Sequence, residues 1–153
     1  MIEALQRLRT AWLVVLVAVL VVSCAKEEAS GPRLFIETAE GEVELAVEIA
    51  DSSEERQQGL MNRKELAPNT GMVFVNTTPT ESNFWMKNTL IPLSLAVWGK
   101  GGTIAAILDM EPCKADPCQI YTPGVPWVGA LEVNQGFFEE NGVKVGDQVR
   151  LVD

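Results

Sequence analysis

Arg56, Arg63, Lys87, Asn88, Glu132 and Asn134 are polar residues whose side chains could converge on a pocket and serve a small ligand. Arg56 and Arg63, seven positions apart, can offer guanidinium forks to a carboxylate or phosphate, and Lys87 would add a point charge. If Asn83 to Lys87 is extended, alternation places Trp85 and Lys87 on one side and Phe84 and Met86 on the other. An indole plate beside an ammonium suits a polar ligand with an apolar body. Asn88 follows where the strand should end, and Glu132 can neutralise Lys87 when the site is empty. The candidate ligand site is therefore Arg56, Arg63, Trp85, Met86, Lys87, Asn88 and Glu132, with capping, turn and ion-pair roles as the alternative for its polar members.

The residue types also exclude chemistry. The chain has no histidine, which removes the commonest general base and every Ser-His or Cys-His nucleophile. Ser82 and Ser94 have no recognisable base, so a small enzyme would have to use Lys87 or Glu132, with burial shifting its pKa. No catalytic residue is assigned. Met61, Met72, Met86 and Met110 with Trp85 are soft enough for Cu(I), although methionine more often fills irregular interiors, and no metal or cofactor is assigned. With 21 acidic against 12 basic residues, a charge of −9 at pH 7, the chain lacks the basic footprint of a nucleic-acid binder.

The first residues read as an address. Arg7 and Arg9 precede an unbroken apolar run from Ala11 to Val22, too short to span a bilayer and of the right length for a signal peptide over residues 1–23. Val21-Val22-Ser23-Cys24 resembles the bacterial lipobox, which implies that Cys24 becomes an acylated first residue and membrane anchor. By the same resemblance, Ala25 implies release to the outer membrane, facing the periplasm. Residues 24–32 form a polar tether and 33–153 one globular domain. With Cys24 lipidated in an oxidising envelope, Cys113 and Cys118 are expected to pair, closing a short loop worth about 2 to 3 kcal/mol. A redox-active pair is the sharper alternative, but the spacing is not C-x-x-C. Two cysteines without histidine make zinc weaker still.

These side chains need elements to hold them. Arg33 to Thr38 and Glu42 to Ile49 predict a hairpin through Gly41, the second strand alternating apolar and mostly acidic residues. Ser52 and Glu55 form a capping-box pattern that opens a short helix through Gln58, stopped by Gly59. Met72 to Val75 and Asn83 to Lys87 read as strands, and Leu93 to Trp98 with Thr103 to Met110 as a hairpin. Trp127 to Val133 is extended, Asn134 caps a helix over Gln135 to Asn141 ended by Gly142, and Gln148 to Val152 is the last strand. The expected fold class is α+β: a mainly antiparallel, curled or barrel-like small sheet with two short helices.

Three segments together resemble the bacterial and archaeal family catalogued as domain of unknown function 192, or uncharacterised protein family 0127. They are Arg56-Gln57-Gln58-Gly59-Leu60-Met61-Asn62-Arg63; Met72-Val73-Phe74 with the string from Phe84 to Leu93; and Ala130 to Asn134 followed by Gly146-Asp147. Many members carry an acidic residue at the position of Ser94. The resemblance implies a fold and a motif set with no established reaction. The expectation is a lipid-anchored envelope protein, a binding or interaction module for a small ligand or an envelope protein, with a histidine-free enzyme as the alternative.

Overall fold

The computed structural model describes residues 31–152. The signal segment, Cys24 and most of the tether lie outside them. Strand β1 (Arg33–Thr38) and strand β2 (Gly41–Ala50) pair antiparallel, from Arg33 opposite Ala46 to Thr38 opposite Gly41. Leu34, Ile36, Leu45 and Val47 turn inward, while Glu42 and Glu44 face water and bridge Arg150 and Arg33. This is the period-2 pattern that the charged alternation predicts.

Helix α1 (Ser53–Gln58) carries the expected capping box: the Ser52 hydroxyl accepts from the Glu55 amide and the Glu55 carboxylate accepts from the Ser52 amide. The chain then returns in strand β3 (Thr70–Thr80), which runs parallel to β2. Six further strands follow: β4 (Phe84–Trp85), β5 (Leu93–Trp98), β6 (Ile104–Met110), β7 (Ile120–Tyr121), β8 (Trp127–Asn134) and β9 (Gln148–Val152). Seven strands form one sheet in the order β6-β5-β8-β3-β2-β1-β9, and β4 pairs β7 in a small second sheet. Only β2–β3 is parallel; the other pairings are antiparallel. The curl brings the two ends of the sheet together at one corner, where Thr103 bridges Gln148 and the Ile104 amide donates to the Asp147 carbonyl.

Alternation along the central strands splits the apolar residues between two faces. Val73, Leu131 and Val133 join Leu34, Ile36 and Leu45 inside the curl, closed by Phe137 and Phe138 of helix α2 (Phe137–Glu140). Met72, Phe74, Leu95 and Ala130 face the other way, under a layer formed by Leu60, Phe84, Met86 and Tyr121. Strand β5 is buried at all six positions because both of its faces are covered. Its Ser94 donates to Asp109 on β6 and accepts from the Gly136 amide. The Trp98 indole lies flat over Gly129, where a Cβ would sit 2.2 Å from the ring, so β8 needs glycine at that crossing.

The α+β, mainly antiparallel expectation agrees with this architecture, and three local expectations do not. The second helix covers only Phe137–Glu140, after Gly136 at φ 87°. Asn134 does not cap it; its amide donates instead to the Leu66 carbonyl at 2.9 Å, tying β8 to the crossover before β3. The strand expected over Asn83 to Lys87 shrinks to Phe84–Trp85, since it has only the two residues of β7 to pair with. Among the described residues no helix is long and apolar enough to cross a membrane.

Candidate functional site

A cavity of about 170 Å³ lies between α1, β4 and the outward faces of β3 and β8. Its apolar wall is a run of rings. Phe74 meets Phe84 edge-on at 5.9 Å, and Phe84 lies 5.2 Å from Trp127 at an interplanar angle of 31°. The Trp127 indole N–H is already taken by the Ser82 carbonyl at 3.1 Å, so it contributes a face and no free donor. Gly59 closes α1 at φ 47°, a backbone conformation that side-chain-bearing residues rarely take. A Cβ there would stand 3.3 Å from the Phe74 ring and 3.9 Å from a Glu132 carboxyl oxygen. The end of the helix therefore rests directly on the ring and the acid.

Glu132 sits between Leu131 and Val133 on β8, and since those two point into the curl it must point out toward the cavity. It is opposite Met72 on one side and Leu95 on the other, both buried. The residue is 6% exposed, and among the described residues nothing donates a hydrogen bond to its carboxyl or forms an ion pair with it. Its oxygens are not sealed in; they open on the cavity. Burial in this apolar setting pushes its pKa from 4.5 up to about 8, so the acid is mostly protonated at neutral pH.

Arg56 is the other ionisable residue lining the cavity. Its Nη1 donates to the carbonyls of Asp51 and Val75, the latter at 3.0 Å, which ties the helix to the edge of β3. The remaining guanidinium N–H groups have no partner among the described residues. Arg56 and Glu132 thus line one space without pairing with each other.

The other expected site residues are distributed around this centre. Trp85 lines the cavity and is 43% exposed on its outer side, where the Lys87 ammonium lies 5.4 Å from the ring centroid. Phe84 and Met86 point inward and Trp85 and Lys87 outward, as alternation requires. Lys87 and Asn88 border a more open depression that shares Trp85 with the cavity. Asn88 adopts φ 57°, and its carbonyl accepts from the Asn62 amide at 2.8 Å, a turn role.

Besides Lys87 and Asn88, two more expected members, Arg63 and Met86, do not line the cavity, which leaves Arg56, Trp85 and Glu132 of the seven. Arg63 is held across β2 by Glu48, its Nη1 donating to Oε1 at 2.5 Å and its Nη2 to Oε2 at 2.6 Å, and it lines a separate groove along β2. That pair draws the Glu48 pKa down and the Arg63 pKa up. Met86 is 1% exposed and packs in the outer core with Met72 and Met110. Nor does Glu132 neutralise Lys87, whose ammonium rests over the indole. Absent from the candidate residues are Phe74, Phe84, Gly59 and Trp127; the first three lie in the segments that resemble the family, and Trp127 joins them only when β8 is brought beside β3. Elsewhere, Cys113 and Cys118 form the expected disulfide, with Cα atoms 5.3 Å apart.

Comparison with known proteins places this geometry among relatives of undetermined activity. Residues 35–151 match the sequence profile of the family DUF192, described as Uncharacterized ACR. A Sinorhizobium meliloti 1021 protein, provisionally described as a transcription regulator, has a similar structure with 34% identity and a TM-score of 0.72 over 78% of this chain and 92% of its own. A protein of unknown function from Novosphingobium aromaticivorans DSM 12444 is similar at 31% identity and a TM-score of 0.69, over 77% of this chain and 83% of its own. No curated protein matches the chain.

Proposed function

We propose that this chain, which belongs to the DUF192 family, is a small-molecule binding module whose ligand enters the cavity beneath α1 and meets Glu132. One observation carries the reading: a carboxyl more than nine-tenths buried, without a protein partner, opens on an aromatic-walled space. Burying such a group is costly unless something bonds to it, and a ligand would supply that bond. Concave, largely apolar sites with a few convergent polar groups are what small ligands use.

The test is a thermal-shift screen of charged and neutral metabolites, repeated on Asn76→Trp, which plugs the cavity from β3. A hit that raises the melting temperature of the parent and leaves the plugged variant unmoved supports the reading. Hits equally strong in both proteins, or none at millimolar concentration, would overturn it.

A second reading is favoured by the same acid. Of Lys87 and Glu132, only Glu132 lines the cavity, and a proton donor with a pKa near neutrality is suited to general acid–base work. Turnover lost in Glu132→Gln while binding persists would select it. The regulator description belongs to the Sinorhizobium protein, and an overall charge of −9 gives DNA binding no electrostatic support here.

The reading includes an anchor at Cys24, supported by the positive start, the apolar run and the Ser23-Cys24 pair. It places the module on the periplasmic face of the outer membrane.

A further inference from the structure

We propose that the cavity takes a compact zwitterion of the amino-acid or betaine class, its cationic nitrogen against Glu132 and its carboxylate against Arg56. This rests on the cavity being a ligand site and goes further by naming the ligand's chemistry. The two ionisable residues that line the cavity, one acid and one base, do not pair with each other. Arg56 is pinned at the Val75 carbonyl, whereas Glu132 stands opposite Met72, three residues back along β3. At the rise of an extended strand those anchor points are about 10 Å apart, a span that one small molecule touching both side chains can bridge.

Each end is built for its partner. Because Nη1 of Arg56 is held by backbone carbonyls, the guanidinium is oriented and its remaining N–H groups stay available for a carboxylate. Glu132 has no cation beside it from any packed element: β3, β4 and β5 contribute no charged side chain to the cavity, and α1 contributes only Arg56. Glu54 and Lys87 lie outside, around the neighbouring depression. The rings of Phe74, Phe84 and Trp127 line the space, and aromatic rings are the side chains that favour a cationic nitrogen. Trp85 already receives a cation on its outer side. The volume of about 170 Å³ equals the space of roughly six waters, which suits a single small molecule.

A cation bound at Glu132 favours its ionised form, so binding near pH 7 releases a proton from the protein. Isothermal titration of the full chain with glycine betaine, L-leucine, 3,3-dimethylbutanoate and choline tests each part. Dimethylbutanoate has the shape of betaine without its positive nitrogen, and choline keeps that nitrogen without the carboxylate. The expected result is that one of the two zwitterions binds at least tenfold more tightly than either analogue. Its heat should vary with buffer in the sense of proton release, and Glu132→Gln should abolish that variation. Equal binding of dimethylbutanoate or choline, or proton release that survives in Glu132→Gln, overturns the proposal. So does binding of none of the four. In that case a different hit in the metabolite screen, lost in Asn76→Trp, leaves the cavity standing as a ligand site with another chemistry, and no hit removes both.

Discussion

A carboxyl held among apolar side chains gives the folded state an unusual dependence on pH. Glu132 has a folded pKa of about 8, above its ordinary 4.5, so between those values the native protein keeps a proton that the unfolded chain has released. For this group, stability is greatest below about pH 4.5 and falls as pH rises toward 8, by roughly 1.4 kcal/mol per unit at the steepest. Glu132→Gln should remove that slope. Urea unfolding at pH 5, 7 and 9 should show the variant gaining on the parent as pH rises; a constant difference would contradict the burial. Glu48 works in the opposite sense and a different window. Its pKa is lowered by Arg63, so the stability from that pair is present above 4.5 and is lost as pH falls through the depressed value. Both partners are substantially solvent-exposed, and Arg63→Ala should therefore cost no more than about 1 kcal/mol. It should also leave any ligand binding unchanged, because Arg63 lies outside the cavity.

At the scale of elements, α1 matters more than its length implies, since its last residue rests on Phe74 and Glu132. Ser52→Ala removes the hydroxyl that caps the helix and should destabilise the protein by about 1 kcal/mol, read by urea unfolding at pH 7. Gly59→Ala should cost at least as much, since it combines a disfavoured φ with a contact against the Phe74 ring. This helix was legible because its signals are local: a serine, a glutamate three positions on, and a terminating glycine. The β1–β2 and β5–β6 hairpins were legible for the same reason. β7 was not, because Ile120–Tyr121 is extended only through pairing with Phe84–Trp85, far away in sequence. Asn134 looked like a cap because the helix follows it, yet its amide was claimed by a loop more than sixty residues earlier. Among the site residues, Glu132 could be singled out because it is a polar residue inside one of the segments that resemble the family. The separation of Arg63 from Arg56 could not, because it depends on Glu48 lying across β2.

For the whole molecule, the expected anchor makes location hinge on one atom. Cys24→Ser should move the processed protein from the membrane pellet to the soluble fraction, and continued sedimentation with the membrane would refute the lipid reading. The cavity itself is assembled from both halves of the chain order. Its floor comes from β3 and β8, which belong to the antiparallel run, while its roof comes from α1 in the crossover that makes β2 and β3 parallel. The contact between roof and floor, Gly59 against Glu132, joins residues more than seventy positions apart, and a contact of that range is expected to form late in folding. A ligand that spans α1 and β8 should then act as a clasp whose effect is kinetic and one-sided. In stopped-flow chevrons it should slow unfolding in proportion to its occupancy while the refolding limb stays where it was.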